Sequence, residues 1–126
     1  MIYIKNNSIE NFHLMPPTVN INEKLIKYDA LILPSFYEGC PNAIIDAMYC
    51  GLPIIASDVS DNQMYLSHQN KLLFNPHDVD DIISKIKHFI SLDLSELKSI
   101  SQNNILMARK FFDLDVMVNK YLKLIK

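Results

Sequence analysis

Glycine is scarce in this sequence: among 126 residues only Gly39 and Gly51 occur, twelve positions apart. Arginine is scarcer still, with Arg109 alone, and there are two cysteines, Cys40 and Cys50. No apolar run approaches the ~20 residues needed to span a bilayer, and the opening MIYIKNN lacks the apolar core of a signal peptide. The expected compartment is therefore the cytoplasm. Net charge is -2, with lysines interleaved among the acids, so no basic stripe is available to grip phosphates and nucleic acid is not an expected partner. His13, His68, His77 and His88 show no metal-ligand spacing and neither cysteine lies in a CxxC pair, so no metal is expected. No repeat or low-complexity segment appears.

What is present is the material of one globular domain, 49% hydrophobic and 21% charged. IYIK (2–5) and FHLM (12–15) read as short strands around the polar NNSIEN, and Pro16 and Pro17 end the second. NINEKLIKY (20–28) reads as a short helix burying Leu25, Ile26 and Tyr28. ALILPS (30–35) and LPIIAS (52–57) are continuous apolar runs of the kind that form parallel strands covered on both faces. A helix over 41–50 joins them, making a βαβ unit. KLLF (71–74) is a further strand. NPHDVDDIISKIKHFISL (75–92) is a helix with Val79, Ile82, Ile83, Ile86, Phe89 and Ile90 on one face and Asp78, Asp80 and Asp81 at its positive end. Two helices follow, 94–112 and 114–125, with Asp113 as the N-cap of the last.

The two glycines bracket the central helix. With Pro41 at the first helical position, Ala43, Ile44, Ile45, Ala47 and Met48 fill an apolar side, while Asn42, Asp46, Tyr49 and Cys50 share a polar arc. The ~15 Å helix at ~1.5 Å per residue holds the cysteines beyond disulfide reach, so both are expected as free thiols. Gly51 stands where a left-handed C-cap favours glycine, with Pro53 preventing continuation. Gly39 lies between the carboxyl end of a strand and a helix N-terminus, where α/β sheets bind ligands and unpaired N–H groups attract anions. SFYEGCPN (35–42) thus reads as an anion-receiving loop, with Glu38 and Asp46 free to bind hydroxyls. The alternative is a tight turn with two solvated carboxylates.

The run PSFYEGCPNAIIDAMYCGLPIIASDV (34–59) resembles the donor-site segment of family 4 retaining glycosyltransferases of GT-B fold, in which Glu, seven residues and Glu precede AMACGxPVIAS. KLIKYDALILPS, NKLLFNPHDVDDIISKI and ARKFFDLDVMVNKYLKLI resemble the segments around it, so nearly the whole chain is covered. The resemblance implies an α/β, Rossmann-like parallel sheet with helices on both faces, the partial C-terminal half of a GT-B fold. It implies that Glu38 is the catalytic residue that contacts hydroxyls of the transferred sugar. Gly39, Cys40, Pro41 and Asn42 hold sugar and phosphate, and Asp46 contacts the nucleotide ribose. Asp46 stands where the family carries Glu, one methylene longer, and Lys71 replaces a common Gly.

By the same resemblance residues 1–126 form one truncated donor-binding domain, without the acceptor domain and the first βα units that carry the basic diphosphate clamp. The substrates would be a UDP- or GDP-sugar donor and a saccharide or lipid-linked acceptor met through the missing N-terminal domain, with no cofactor and no metal. The full-length protein would be cytoplasmic, peripheral at the inner membrane face, in a bacterial surface-polysaccharide pathway. The cut edge, including Met117, Val118, Tyr121, Leu122 and Ile125, would favour self-association. A non-catalytic nucleotide-sugar-binding or structural α/β module is the alternative. A glycosidase carboxylate pair at Glu38 and Asp46 is disfavoured by the ~5 Å separation that retaining chemistry needs and by the lack of an aromatic stripe beside them. Asp78-Val79-Asp80 and Asp113-Leu114-Asp115 read as helix N-terminal acids rather than as metal-binding Asp-x-Asp. His13, near a strand end, is a candidate cleft residue or an ordinary strand residue, and Ser57, Asp58 and Ser60 through Asn62 are candidates for a rim of the nucleotide pocket or ordinary loop polarity.

Overall fold

The computed structural model describes residues 10–125, so the strand expected at 2–5 lies outside the described residues. Within them the order is α1 (Ile21–Leu25), β1 (Leu31–Leu33), α2 (Asn42–Tyr49), β2 (Ile54–Ser57), α3 (Asn62–Tyr65), a 3₁₀ segment (Ser67–Leu72), β3 (Leu73–Phe74), α4 (Val79–Ser91), α5 (Leu94–Phe112) and α6 (Leu114–Leu124). The strands form one parallel sheet in the order β1-β2-β3, with Ile32 opposite Ile55 and Ala56 opposite Leu73. The α/β class expected from the apolar runs is the class found.

All four residues of β2 are buried, as a central parallel strand requires. Successive residues face opposite ways, and two cores result. Ile54 and Ala56 join Ile44, Ala47, Met48, Leu66 and Ala108 on the side of α2 and α5. Ile55 joins Leu72 and Phe74 on the other side, against Ile82, Ile86 and Phe89 of α4. The apolar face expected of α4 divides: Ile82, Ile86 and Phe89 pack, while Val79, Ile83 and Ile90 stay exposed because the short β3 offers too little sheet to cover them.

Several expectations need correction. FHLM (12–15) is not a strand: it is irregular and exposed, without a ladder partner among the described residues, and Pro16 and Pro17 supply no N–H. The helix of 20–28 shortens to Ile21–Leu25, with Leu25 buried but Ile26 and Tyr28 exposed. β1 is not covered on both faces. Among the described residues it is an edge strand, and its Ile32 is 45% exposed. The last three helices fall close to expectation, each with an aspartate N-cap: Asp78 accepts from the N–H groups of Asp80 and Asp81, Asp93 from Ser95 and Glu96, and Asp113 from Asp115. The helix-end reading of both Asp-x-Asp sequences therefore holds.

A buried polar cluster ties α5 to the start of β2. Asn104 Nδ2 donates to the Leu52 carbonyl at 2.8 Å, the Ile54 N–H donates to Gln69 Oε1 at 3.1 Å, and Gln69 Nε2 donates to Asn104 Oδ1 at 2.6 Å. His68 Nε2 lies 2.7 Å from Asn104 Oδ1, and an amide oxygen can only accept, so that nitrogen carries the proton. His68 Nδ1 is then a buried acceptor without a partner among the described residues. Burial pulls the His68 pKa below its ordinary 6.5, with the hydrogen bond to Asn104 opposing the change.

Two outcomes follow for stability. Asn104→Leu strands the Leu52 carbonyl and the Gln69 and His68 donors, and urea denaturation should show a loss of about 2–4 kcal/mol. Because His68 binds its proton more weakly folded than unfolded, its contribution is present above pH 6.5 and lost as pH falls towards its depressed folded value. The stability difference between the native chain and His68→Gln should therefore shrink on acidification below pH 6.5, measured by denaturation at stepped pH.

Candidate functional site

The carboxyl ends of the three strands carry three loops, and the longest, Pro34 to Pro41, joins β1 to α2. Ser35 Oγ donates to Glu38 Oε1, and the Glu38 N–H donates to Ser60 Oγ at 3.3 Å across the loop that follows β2. Glu38 is thus held from both its side chain and its backbone, and stays half-buried. Gly39 and Cys40 are exposed and Pro41 is buried. A Cβ on Gly39 would meet nothing within 4 Å, and its φ is not in the left-handed region. Neither packing nor turn geometry demands glycine there.

Gly51 is the opposite case. Its φ is +68°, as expected of a C-cap, and a Cβ would lie 2.6 Å from Ser101 Oγ and 3.2 Å from Ile105 Cδ1. The close crossing of α5 is a second reason for glycine that the sequence pattern does not reveal.

Pro41 is the N-cap rather than the first helical residue. With φ -78° and ψ 84° it stands outside the helix, and its carbonyl accepts from the N–H groups of Ile44 and Ile45. No side chain caps α2 and no acid lies in its first turn, in contrast to the aspartate caps of α4, α5 and α6. Asn42 is exposed here, its N–H turned back to the Cys40 carbonyl at 2.9 Å.

Asp46, half-buried one turn further along α2, borders a groove of about 520 Å³ with Pro17, Ile21, Lys24, Leu25 and Ala43. Ala43, expected on the packed side, is exposed on this groove because α1 is too short to cover it. Lys24 is a cation that motif reading overlooked, since it comes from the helix before β1. Burial, and then the Asp46 carboxylate, push the Cys50 thiol up. Both cysteines are free.

The neighbouring loops bring further residues to the site. Ser60, the hydroxyl that holds Glu38, adopts φ +51°, the one non-glycine residue in the left-handed region among those described. Asp58, Ser60 and Asp61 are exposed, but Ser57 and Asn62 do not rim the pocket: both are fully buried, with Ser57 Oγ donating to the Leu33 carbonyl at 3.4 Å and Asn62 Nδ2 to the Ser57 carbonyl at 2.9 Å. Tyr65 of α3 packs edge-on against Phe111 and Phe112, and burial, then Asp61 and Cys40, raise its phenol pKa. Phe36 lies against His77 from the loop after β3, ring centroids 5.1 Å apart. One ring pair, Phe36 with His77, thus flanks the Glu38 loop without forming a stripe, and it joins residues from separate loops. His13 lies on the exposed segment before α1. Among the described residues no three His, Cys, Asp or Glu side chains converge as metal ligands, and no helix is long and apolar enough to cross a membrane.

A second cavity of about 420 Å³, between His68, Leu72, His88, Ser95 and Ile100, opens at the amino end of the sheet, opposite these loops. It includes Lys71 but none of Glu38, Gly39, Cys40, Pro41, Asn42 and Asp46.

The sequence pattern described as "Glycosyl transferases group 1" matches residues 3–91. A lipopolysaccharide 1,6-galactosyltransferase of Salmonella typhimurium is 28% identical over 95 residues, covering 74% of this chain and 26% of its own length. A UDP-Gal:alpha-D-GlcNAc-diphosphoundecaprenol alpha-1,3-galactosyltransferase of Escherichia coli is 34% identical over 59 residues, 46% of this chain and 15% of that protein. An O-antigen chain mannosyltransferase B of Escherichia coli is 38% identical over 55 residues, 44% and 14% of the two chains. This chain therefore spans about a quarter or less of these relatives. Sucrose-phosphate synthase from Thermosynechococcus elongatus superposes with a TM-score of 0.81 at 20% identity, covering 98% of this chain and 33% of that one, and supports the GT-B reading of the fold.

The two glycines should respond oppositely to alanine. Gly51→Ala places a side chain at φ +68° against Ser101 and should cost about 1–3 kcal/mol, whereas Gly39→Ala should change stability by no more than about 1 kcal/mol and in the stabilising direction. Thermal and urea unfolding of both variants checks the contrast.

Proposed function

This chain belongs to the group 1 glycosyl transferases, and we propose that it is the part that binds the nucleotide-sugar donor of a retaining hexosyl transfer in bacterial surface-polysaccharide synthesis. The observation that carries the reading is the vacant, unstrained space at Gly39, immediately before an uncapped helix N-terminus and beside a carboxylate held in place. Such a terminus offers unpaired N–H groups and about half a positive charge to a phosphate.

In this reading the loop from Gly39 through Asn42 receives the diphosphate through the N–H groups of Gly39 and Cys40 and that of Ala43 at the helix start, while Pro41 and Asn42, whose N–H is taken by the Cys40 carbonyl, shape the turn. Glu38 accepts hydrogen bonds from hydroxyls of the sugar, its orientation fixed by Ser35 and Ser60. Asp46 accepts from the ribose hydroxyls at the mouth of its groove, and Lys24 on the opposite wall contributes positive charge. Charge builds on the leaving diphosphate as the sugar departs, and donors fixed in advance stabilise it without reorganisation. The donor is a UDP- or GDP-sugar, with galactosyl or mannosyl groups suggested by the relatives' names, and the acceptor is a saccharide or lipid-linked saccharide. No metal or cofactor takes part. A cytoplasmic position at the inner membrane face, and self-association through the exposed apolar residues of α6, complete the proposal.

Isothermal titration with UDP, UDP-galactose, GDP and GDP-mannose tests it. Asp46→Ala should weaken nucleotide and nucleotide-sugar alike, by about tenfold or more for loss of a charged acceptor. Glu38→Ala should remove only the increment that the sugar adds. Gly39→Ala should lose donor affinity while keeping its stability. Unchanged binding in Glu38→Ala and Asp46→Ala would contradict the assignment.

A further inference from the structure

Two large aromatic side chains stand in water at the edge of the proposed donor site. Phe36 is 69% exposed and Tyr37 82% exposed, consecutive residues in the loop between β1 and α2. An aromatic ring buries on the order of 150–250 Å² when covered, so leaving two uncovered forgoes stabilisation that either core could have supplied. Phe36 instead reaches across the end of the sheet to His77, with ring centroids 5.1 Å apart and planes tilted by 34°.

The backbone around this pair is fixed on both sides. On the Phe36 side, the Glu38 N–H donates to Ser60 Oγ at 3.3 Å. On the His77 side, its own N–H donates to Asn75 Oδ1 at 3.0 Å, and the Asn75 N–H donates to Asp81 Oδ2 at 2.8 Å. Below them, the Asp58 N–H donates to the Phe74 carbonyl at 2.8 Å. All three loops at the carboxyl end of the sheet are stitched together beneath two exposed rings. A functional surface carried on secured elements keeps its geometry, as recognition requires.

The adjacent chemistry selects a ligand class. A pyranose ring is amphipathic: its edge carries hydroxyls, and its faces carry C–H groups that lie flat on an aromatic ring. Sites for such ligands combine apolar aromatic surface with a few placed polar groups. Here the Glu38 carboxylate, two residues from Phe36 and oriented by Ser35, supplies the polar group, and Phe36 with His77 supplies the surface. We propose that Phe36 and His77 form a stacking platform for a pyranose ring, with Tyr37 as a second, outer aromatic. The platform takes its location from the donor-site reading. The ring could come from the donor's own sugar or from the acceptor saccharide, and the two sources share the same contact chemistry.

The test uses this chain with ring-resolved NMR, titrating methyl galactoside, methyl mannoside, UDP and UDP-galactose. The glycosides should shift the Phe36 and His77 ring signals. Phe36→Ala should weaken glycoside binding by about two- to tenfold, the range measured for single aromatic contacts. Phe36→Trp should restore it and Phe36→Leu should not, because the aliphatic chain offers apolar area without a flat π face. UDP affinity should be unchanged in all three. If the ring belongs to the donor, Phe36→Ala also erases the gain of UDP-galactose over UDP; if it belongs to the acceptor, that gain survives and only the glycosides weaken. Glycosides that bind Phe36→Ala as well as the native chain, that move no Phe36 or His77 signal, or that do not bind at all overturn the platform. Glycoside shifts at Phe36 with no UDP binding would keep the platform and defeat the donor-site reading, and UDP binding with silent Phe36 and His77 rings would do the reverse.

Discussion

The buried amide pair of Gln69 and Asn104 is the interaction on which the rest of the structure depends. Their side chains take up the Leu52 carbonyl and the Ile54 N–H at the amino end of β2, where the strand has no ladder partner for those groups. Left unpaired at such depth, each group would cost about 1–3 kcal/mol, comparable to a large share of a domain's stability. With the pair made, α5 is locked against β2, close enough that Gly51 must lack a side chain. β2 can then send Ile54 and Ala56 into one core and Ile55 into the other. The carboxyl end of the strand follows as a fixed base, and from it Ser60 holds Glu38.

The site built on that base differs in kind from the rest of the surface. The long helices α4, α5 and α6 are closed at their starts by aspartates, and β2 sends its apolar residues into the two cores. At the β1–α2 loop a helix begins on proline without a side-chain cap, a glycine sits where an alanine would fit, a serine holds φ +51°, and two aromatics face solvent. Each departs from what stability alone favours, and departures of this kind concentrate at functional sites. The two cavities are told apart by their place on the sheet. The space between His68, His88 and Ser95 is similar in volume to the Asp46 groove, yet it lies at the amino end of the sheet, away from the loops where parallel α/β sheets bind ligands.

Much of this was legible in the sequence because the signals are local. Continuous apolar runs gave β2, the 3.6-residue period and Asp78 gave α4, and Asp113 marked the start of α6. Glu38, Gly39 and Asp46 could be singled out from one stretch because the strand, loop and helix that carry them are consecutive. What could not be read depends on distant partners. FHLM has the composition of a strand but no neighbour to pair with among the described residues, and Ile32 has the composition of a core residue but is 45% exposed. Lys24, Ser60, Phe36 with His77, and the Asn104 network reach their places only through the tertiary fold, and no spacing rule connects residues 22 to 52 positions apart.

The central claim is one of place: a nucleotide-sugar sits at the carboxyl end of the sheet, on the loop between β1 and α2. Backbone amide chemical-shift mapping with a UDP-hexose addresses it most directly, since every N–H proposed to meet the diphosphate is itself a probe. The account predicts the largest changes at Gly39, Cys40 and Ala43, with smaller ones at Asn42, at Ser60 and along the Asp46 groove, and none around His68 and His88. Shifts concentrated in the His68–His88 cavity, with the Gly39 to Ala43 amides unmoved, would contradict it.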